Sequence, residues 1–192
     1  MQAALVLGEQ EAIARTVVNR LFLKSHCHES GAGGPATFDV LVISGGGDYG
    51  AFGAGVLQGW GCVACPEMRR PQFDVVTGVS TGAIIAPMAF VGTPETYRQV
   101  FLVYQNPQPD WFKKRTLPAI LTGQPSLATN EGIADEIRRN LDGRVVAAIA
   151  AGAAEHRLLL IETTNLDKGM HRVWNLTAEA QQAAATGSLK RV

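Results

Sequence analysis

The sequence predicts an α/β protein with a mostly parallel sheet and helices on both faces. Three observations carry this. Two apolar, β-branched runs, 38–44 and 73–77, each end in a glycine-bearing turn and continue into a small-residue or apolar stretch of helical length. A third apolar run, 158–161, follows a long stretch of helical patterning. At 192 residues and 46% hydrophobic composition, the chain is long and apolar enough to bury the core of one domain.

Composition excludes several classes of function. Lys+Arg and Asp+Glu balance at 17 each, which leaves no basic surplus for nucleic acid. The longest apolar runs fall well short of a membrane span, and the N-terminus lacks the basic region of a signal peptide. The expected compartment is therefore the cytoplasm or the periphery of a membrane. Three cysteines, Cys27, Cys62 and Cys65, include one C-x-x-C with no second pair to complete a zinc site, so no metal and no cofactor are expected.

Taken in order, residues 3–24 carry helical spacing, with Ile13, Val17, Leu21 and Val18 toward one face. Residues 30–35 (S-G-A-G-G-P) form a linker, preceded by His26 and His28, which read as solvated. Residues 1–37 are thus an N-terminal helix and linker, and 38–192 the α/β domain. The run F-D-V-L-V-I-S at 38–44 is a buried strand that opens into Gly45-Gly46-Gly47-Asp48-Tyr49-Gly50. A strand, a glycine turn and a helix leave unpaired N–H groups pointing outward, an arrangement that binds anionic oxygen.

Two functions compete for that loop. Gly45, Gly47 and Gly50 satisfy G-x-G-x-x-G, a dinucleotide fingerprint that also asks for an acidic residue about 20 positions on, at the end of the next strand. Glu67 is near that distance but lies in a loop pattern, and the next strand ends in Thr77-Gly78. The other function is an oxyanion hole. It needs a nucleophile nearby, and the strand at 73–77 leads into Gly78-Val79-Ser80-Thr81-Gly82, a G-x-S-x-G in strand–turn–helix context. The turn projects the Ser80 hydroxyl, and Gly78 and Gly82 let backbone and helix pass without Cβ atoms. Ser80 also falls at a helix N-terminus, which favours negative charge. Consecutive parallel strands would bring both loops to one edge of the sheet, which favours a hydrolase.

The residues S-G-G-G-D-Y-G-A-F-G-A-G-V-L and F-D-V-V-T-G-V-S-T-G-A resemble the patatin-like phospholipases. The resemblance implies a three-layer α/β sandwich and a lipid acyl hydrolase that cleaves carboxylic ester bonds with a Ser–Asp dyad. Carried over, it makes Ser80 the nucleophile and the N–H groups around Gly45, Gly46 and Gly47 the oxyanion hole. Gly50, Gly78 and Gly82 are the remaining motif glycines. The substrate it implies is a lipid or membrane-surface ester. Tyr49 stands where many members carry a base.

Beyond the elbow, Thr93-Pro94-Glu95 opens a helix to about Tyr104, broken at 106–110. The aromatic and basic segment 111–122 reads as a lid, with a membrane-surface segment as the alternative. Thr129 precedes a helix over 131–141 with Ile133, Ile137 and Leu141 in step, and 145–155 is a further helix. Asp142-Gly143 reads as a helix C-terminal turn. The strand at 158–161 leads into T-T-N-L-D, where Asp167 sits in a turn rather than in the family's D-G-G or D-G-A setting, which the sequence nowhere contains. His156 and His171 are the remaining candidate bases, and the resemblance speaks against both. Residues 177–185 read as a last helix.

In the family the dyad aspartate follows this point. The resemblance therefore implies a fragment, the C-terminal part of the fold missing and the 192-residue chain inactive or nearly so. The alternatives are a non-catalytic lipid-binding protein of the same fold and a dinucleotide-binding domain using Gly45–Gly50.

Overall fold

The computed structural model describes residues 2–29, 37–107, 113–114, 128–129, 131–165 and 169–187. Helix α1 (Gln2–Glu29) precedes strand β1 (Val40–Ile43), a 3₁₀ turn (Gly47–Tyr49) and α2 (Gly50–Trp60). Strand β2 (Val75–Val79), α3 (Thr81–Val91) and α4 (Pro94–Gln105) follow. Two-residue strands β3 (Lys113–Lys114) and β4 (Ala128–Thr129) pair antiparallel with each other. The chain continues through α5 (Glu131–Asn140), α6 (Gly143–Ala154), β5 (Leu158–Asn165), β6 (Met170–Asn175) and α7 (Leu176–Thr186).

The main sheet has the order β1-β2-β5-β6. β1 and β5 both run parallel to β2, in register Val40↔Val75 and Val75↔Leu158, while β6 returns antiparallel on β5. This is the mostly parallel sheet that the sequence predicts. Alternation along the strands separates its two faces. Leu41, Ile43, Val76, Leu159 and Ile161 point into the larger core, with residues of α2, α3, α4, α6 and α7. Val75, Leu158, Leu160 and Val173 point the other way, where Ile13 and Val17 of α1 cover them. Helices thus lie on both faces.

The strand predicted at 73–77 is displaced by two residues. Pairing, not composition, sets its start. The N–H groups of Asp74 and Val75 donate to the Asp39 carbonyl at 2.8 and 3.3 Å, and the ladder with β1 and β5 begins only at Val75. Phe73 is buried but its carbonyl accepts from Arg157 Nε at 2.8 Å instead. That guanidinium, itself buried, stacks over the Phe90 ring at 4.2 Å and ties the start of β5 to the end of α3. The helix predicted over 3–24 runs further, through Glu29, and Val18 is exposed rather than packed. The linker, the lid segment other than 113–114, and Asp167 lie outside the described residues.

A second difference concerns Asp142. It does not end a helix but begins one. Its carboxylate accepts from the N–H groups of Arg144 and Val145 at 2.9 and 3.0 Å, the N-cap of α6. Asx residues serve at either side of such a junction, and only the direction of the hydrogen bonds distinguishes them. The N-terminus of α4 is closed by a reciprocal pair, Thr96 N–H to Thr93 Oγ1 and Thr93 N–H to Thr96 Oγ1, each 3.2 Å, with Pro94 in the first turn.

Candidate active site

The parallel pairing brings the loop after β1 and the turn after β2 to the same edge of the sheet. β2 ends at Val79 and α3 begins at Thr81, so one residue, Ser80, makes the whole reversal from strand to helix. It has φ 54° and ψ −121°. A non-glycine residue in that region is strained by about 1–3 kcal/mol, and surrounding packing must hold it there. Ser80 stands at the N-cap of α3, yet its side chain makes no capping bond, because this backbone geometry turns the hydroxyl away from the helix N–H groups. Its carbonyl accepts from Ala83 N–H at 2.9 Å, and the side chain is exposed.

The glycines explain how the turn is held. A Cβ on Gly82 would run into the Ile43 carbonyl, and one on Gly78 into the Gly82 carbonyl. So α3 starts directly against the end of β1. A Cβ on Gly45 would lie 2.9 Å from Ser80 Cβ and 3.6 Å from Ser80 Oγ, so the loop backbone passes beside the serine. Gly46 has φ 166° and ψ 16°, Gly47 has φ +56°, and the chain then closes a 3₁₀ turn with Tyr49 N–H on the Gly46 carbonyl at 3.1 Å. Gly50 is pressed by Tyr104, whose nearest ring carbon would be 2.6 Å from an added Cβ.

Tyr104 also donates to the Thr81 carbonyl at 3.1 Å, linking α4 to the first turn of α3. Burial pushes its phenol up to about 12, partly opposed by that hydrogen bond, so it stays a donor at all ordinary pH.

Ser80 opens onto a cavity of about 570 Å³, within the range of small-molecule sites. Its walls are chiefly Ile84, Pro87 and Met88 of α3, Ile133 and Ile137 of α5, and Ile161 of β5. Among the described residues, Asp48 is the one charged side chain that lines it, along with Gly47 and Ser80. The Thr81 hydroxyl is buried at this wall with no hydrogen-bond partner among the described residues. A long, flexible apolar group suits such a space, with its polar end at Ser80.

Sequence reasoning missed the walls. Ile133, Ile137 and Leu141 have the spacing of a core stripe, and that spacing is the same whether a helix faces a packed core or an open cavity. Gln99 Nε2 donates to Asn140 Oδ1 at 2.6 Å and helps seat α5 beside α4.

The other candidates lie apart. His156 precedes β5, at the opposite end of the sheet from Ser80, and contacts Arg20 of α1 at 2.9 Å. His171 of β6 faces Glu162 at 2.9 Å and Thr164 at 3.3 Å and does not line the cavity. Among the described residues no group of His, Cys, Asp and Glu side chains could hold a metal, and no helix is long and apolar enough to cross a membrane.

The fold is an α/β sheet, mostly parallel, with helices on both faces, and at its edge Ser80 stands beside a glycine loop and an apolar cavity. The family model of patatin-like phospholipases matches residues 41–187, and the chain belongs to that family of lipid hydrolases. No curated protein and no solved structure matches it.

Proposed function

We propose that this is a serine lipid acyl hydrolase that cleaves carboxylic esters, with Ser80 as nucleophile and the N–H groups around Gly45, Gly46 and Gly47 as oxyanion hole. The observation that carries the reading is Ser80 itself: a strained, uncapped, exposed serine beside the Gly45 backbone and at the mouth of an apolar cavity. The acyl chain occupies the cavity. Ser80 Oγ attacks the ester carbonyl and gives its proton to a base. The oxygen of the tetrahedral intermediate is held by the loop. Collapse expels the alcohol, which takes up a proton, and water then hydrolyses the acyl-enzyme to release the fatty acid.

In this reading the base is the aspartate of a Ser–Asp dyad, and the sequence holds no D-G-G or D-G-A to supply it. The 192-residue chain is then a poor catalyst, slower by several orders of magnitude than a protein carrying the complete dyad. The alternative reading is a lipid-binding protein that keeps the fold without turnover. A fluorophosphonate probe separates them. Slow labelling confined to Ser80 and abolished in Ser80→Ala is expected. Labelling at another serine, or none at any probe concentration, refutes the assignment of the nucleophile.

A further inference from the structure

Thr16 and Thr186, both on helices, donate to the carbonyls four residues back, those of Ala12 and Gln182, at 2.8 and 2.9 Å. Thr96 and Thr177, both buried, donate to the Met88 carbonyl at 2.9 Å and to Asn175 Oδ1 at 2.5 Å. Thr81 does neither. Its hydroxyl oxygen is shut off from solvent, and among the described residues it is the one buried side-chain oxygen or nitrogen without a hydrogen bond. Its place explains this. Thr81 is the first residue of α3, so no helical turn precedes it to supply a carbonyl.

Nor can the residue withdraw. Tyr104 donates to its carbonyl at 3.1 Å, and the next residue, Gly82, is packed against the Ile43 carbonyl. Thr81 therefore stays where it is, lining the cavity immediately after Ser80. Rotation about χ1 is the freedom left to it. Threonine on a helix divides between two such rotamers, so the hydroxyl can swing toward a ligand. Buried polar groups almost always have a partner, and one left without lowers the stability of the fold.

We propose that the Thr81 hydroxyl is a binding group for the substrate, donating a hydrogen bond to an oxygen of the ester held in the cavity beside Ser80. This rests on the reading of the cavity as an acyl-ester site. The apolar walls, Ile84, Met88 and Ile137 among them, favour burial of a chain but give it no direction. A hydrogen bond from Thr81 fixes the ester end next to the serine and discriminates an ester from a plain hydrocarbon. The stability forgone in the empty site is recovered when the ester binds.

The test uses the Ser80→Ala protein as parent, which cannot turn an ester over at Ser80. Thr81→Val keeps the branched shape and removes the hydroxyl, and Thr81→Ser keeps the hydroxyl. Displacement of an environment-sensitive apolar dye measures the affinity of methyl octanoate and of the straight alkane with as many non-hydrogen atoms. Thr81→Val is expected to bind the ester about fivefold more weakly and the alkane as before. Thr81→Ser should keep most of the ester affinity. In denaturant unfolding without ligand, Thr81→Val should be at least as stable as the parent, because it loses an unpaired hydroxyl and no bond.

A parent that binds the ester, with Thr81→Val binding it as well or losing ester and alkane alike, overturns this inference alone. So does ester affinity lost as fully in Thr81→Ser. A Thr81→Val protein that is less stable than the parent, or does not fold, also overturns it, because the hydroxyl then already has a partner in the empty site. A parent that binds neither ligand overturns the reading of the cavity and this inference with it.

Discussion

Gly45 and Ser80 stand so close that a methyl group on the first would lie 2.9 Å from the Cβ of the second. They are 35 positions apart in the sequence, and the parallel register of β1 on β2 brings them together. Any side chain at position 45 must push the glycine loop off the serine, and the Val79 carbonyl, 3.3 Å from the same point, blocks the simplest escape. Gly45→Ala is expected to reduce fluorophosphonate labelling of Ser80 by at least about tenfold, through displaced oxyanion donors. Its stability should fall only by roughly 1–3 kcal/mol, as for other overpacked sites. Undiminished labelling of a folded Gly45→Ala protein would argue that the loop does not serve the serine.

Gly82 is more severe. Its Cβ would meet the Ile43 carbonyl, with the carbonyl carbon 2.8 Å away and the Ser44 oxygen 2.9 Å away. These are backbone atoms at and just past the end of β1 and cannot rotate aside as a side chain could. Gly82→Ala should therefore cost more than about 3 kcal/mol in denaturant unfolding, above the usual range for a single substitution. A loss under about 1 kcal/mol would mean that α3 can start elsewhere than against β1.

The cavity makes a prediction about chain length. Ile137 of α5 lines it across from α3. Ile137→Trp should fill part of the space and weaken binding of a long-chain fatty acid by about tenfold or more, with little effect on a short-chain one. Displacement of a fluorescent fatty-acid analogue measures both. Equal loss for short and long chains would point to a disturbed fold rather than a shortened cavity.

The N-cap of α6 gives a pH dependence. The Val145 N–H, and after it the Arg144 side chain, hold the Asp142 carboxyl below its usual value. A carboxyl depressed in the folded state stabilises it above its unfolded value, and that stabilisation is lost as pH falls through the folded value. Asp142→Ala is expected to cost about 1 kcal/mol near neutrality. The gap from wild type should close in acid, below the ordinary aspartate range, in thermal or denaturant melts run across pH. A gap that persists there would show that lost packing, not the charged cap, is responsible.

Much of this edge of the molecule was legible in the sequence because local rules specify it. An apolar β-branched run, a turn that only glycine on either side permits, and an apolar helix placed the elbow at Ser80 within a residue or two of where β2 ends and α3 begins. The reading of Asp142 failed for a local reason as well. Aspartate before glycine serves helix ends and helix starts alike, and which it is depends on where the hydrogen bonds of its carboxylate go.

Sequence alone, then, determined the alternation of strands and helices, the position of the elbow and the glycine loop, and membership of a lipid-hydrolase family. Those depend on period and turn chemistry over a few neighbouring residues. Long-range packing decided the rest. It set the strand order that puts Gly45 beside Ser80 and gave α1 the second face of the sheet through Ile13 and Val17. It also turned Ile133 and Ile137 onto an open cavity instead of a filled core. A hydrophobic stripe records that a helix must leave water on one side. It does not record what stands opposite, because apolar transfer is nondirectional and any apolar surface satisfies it.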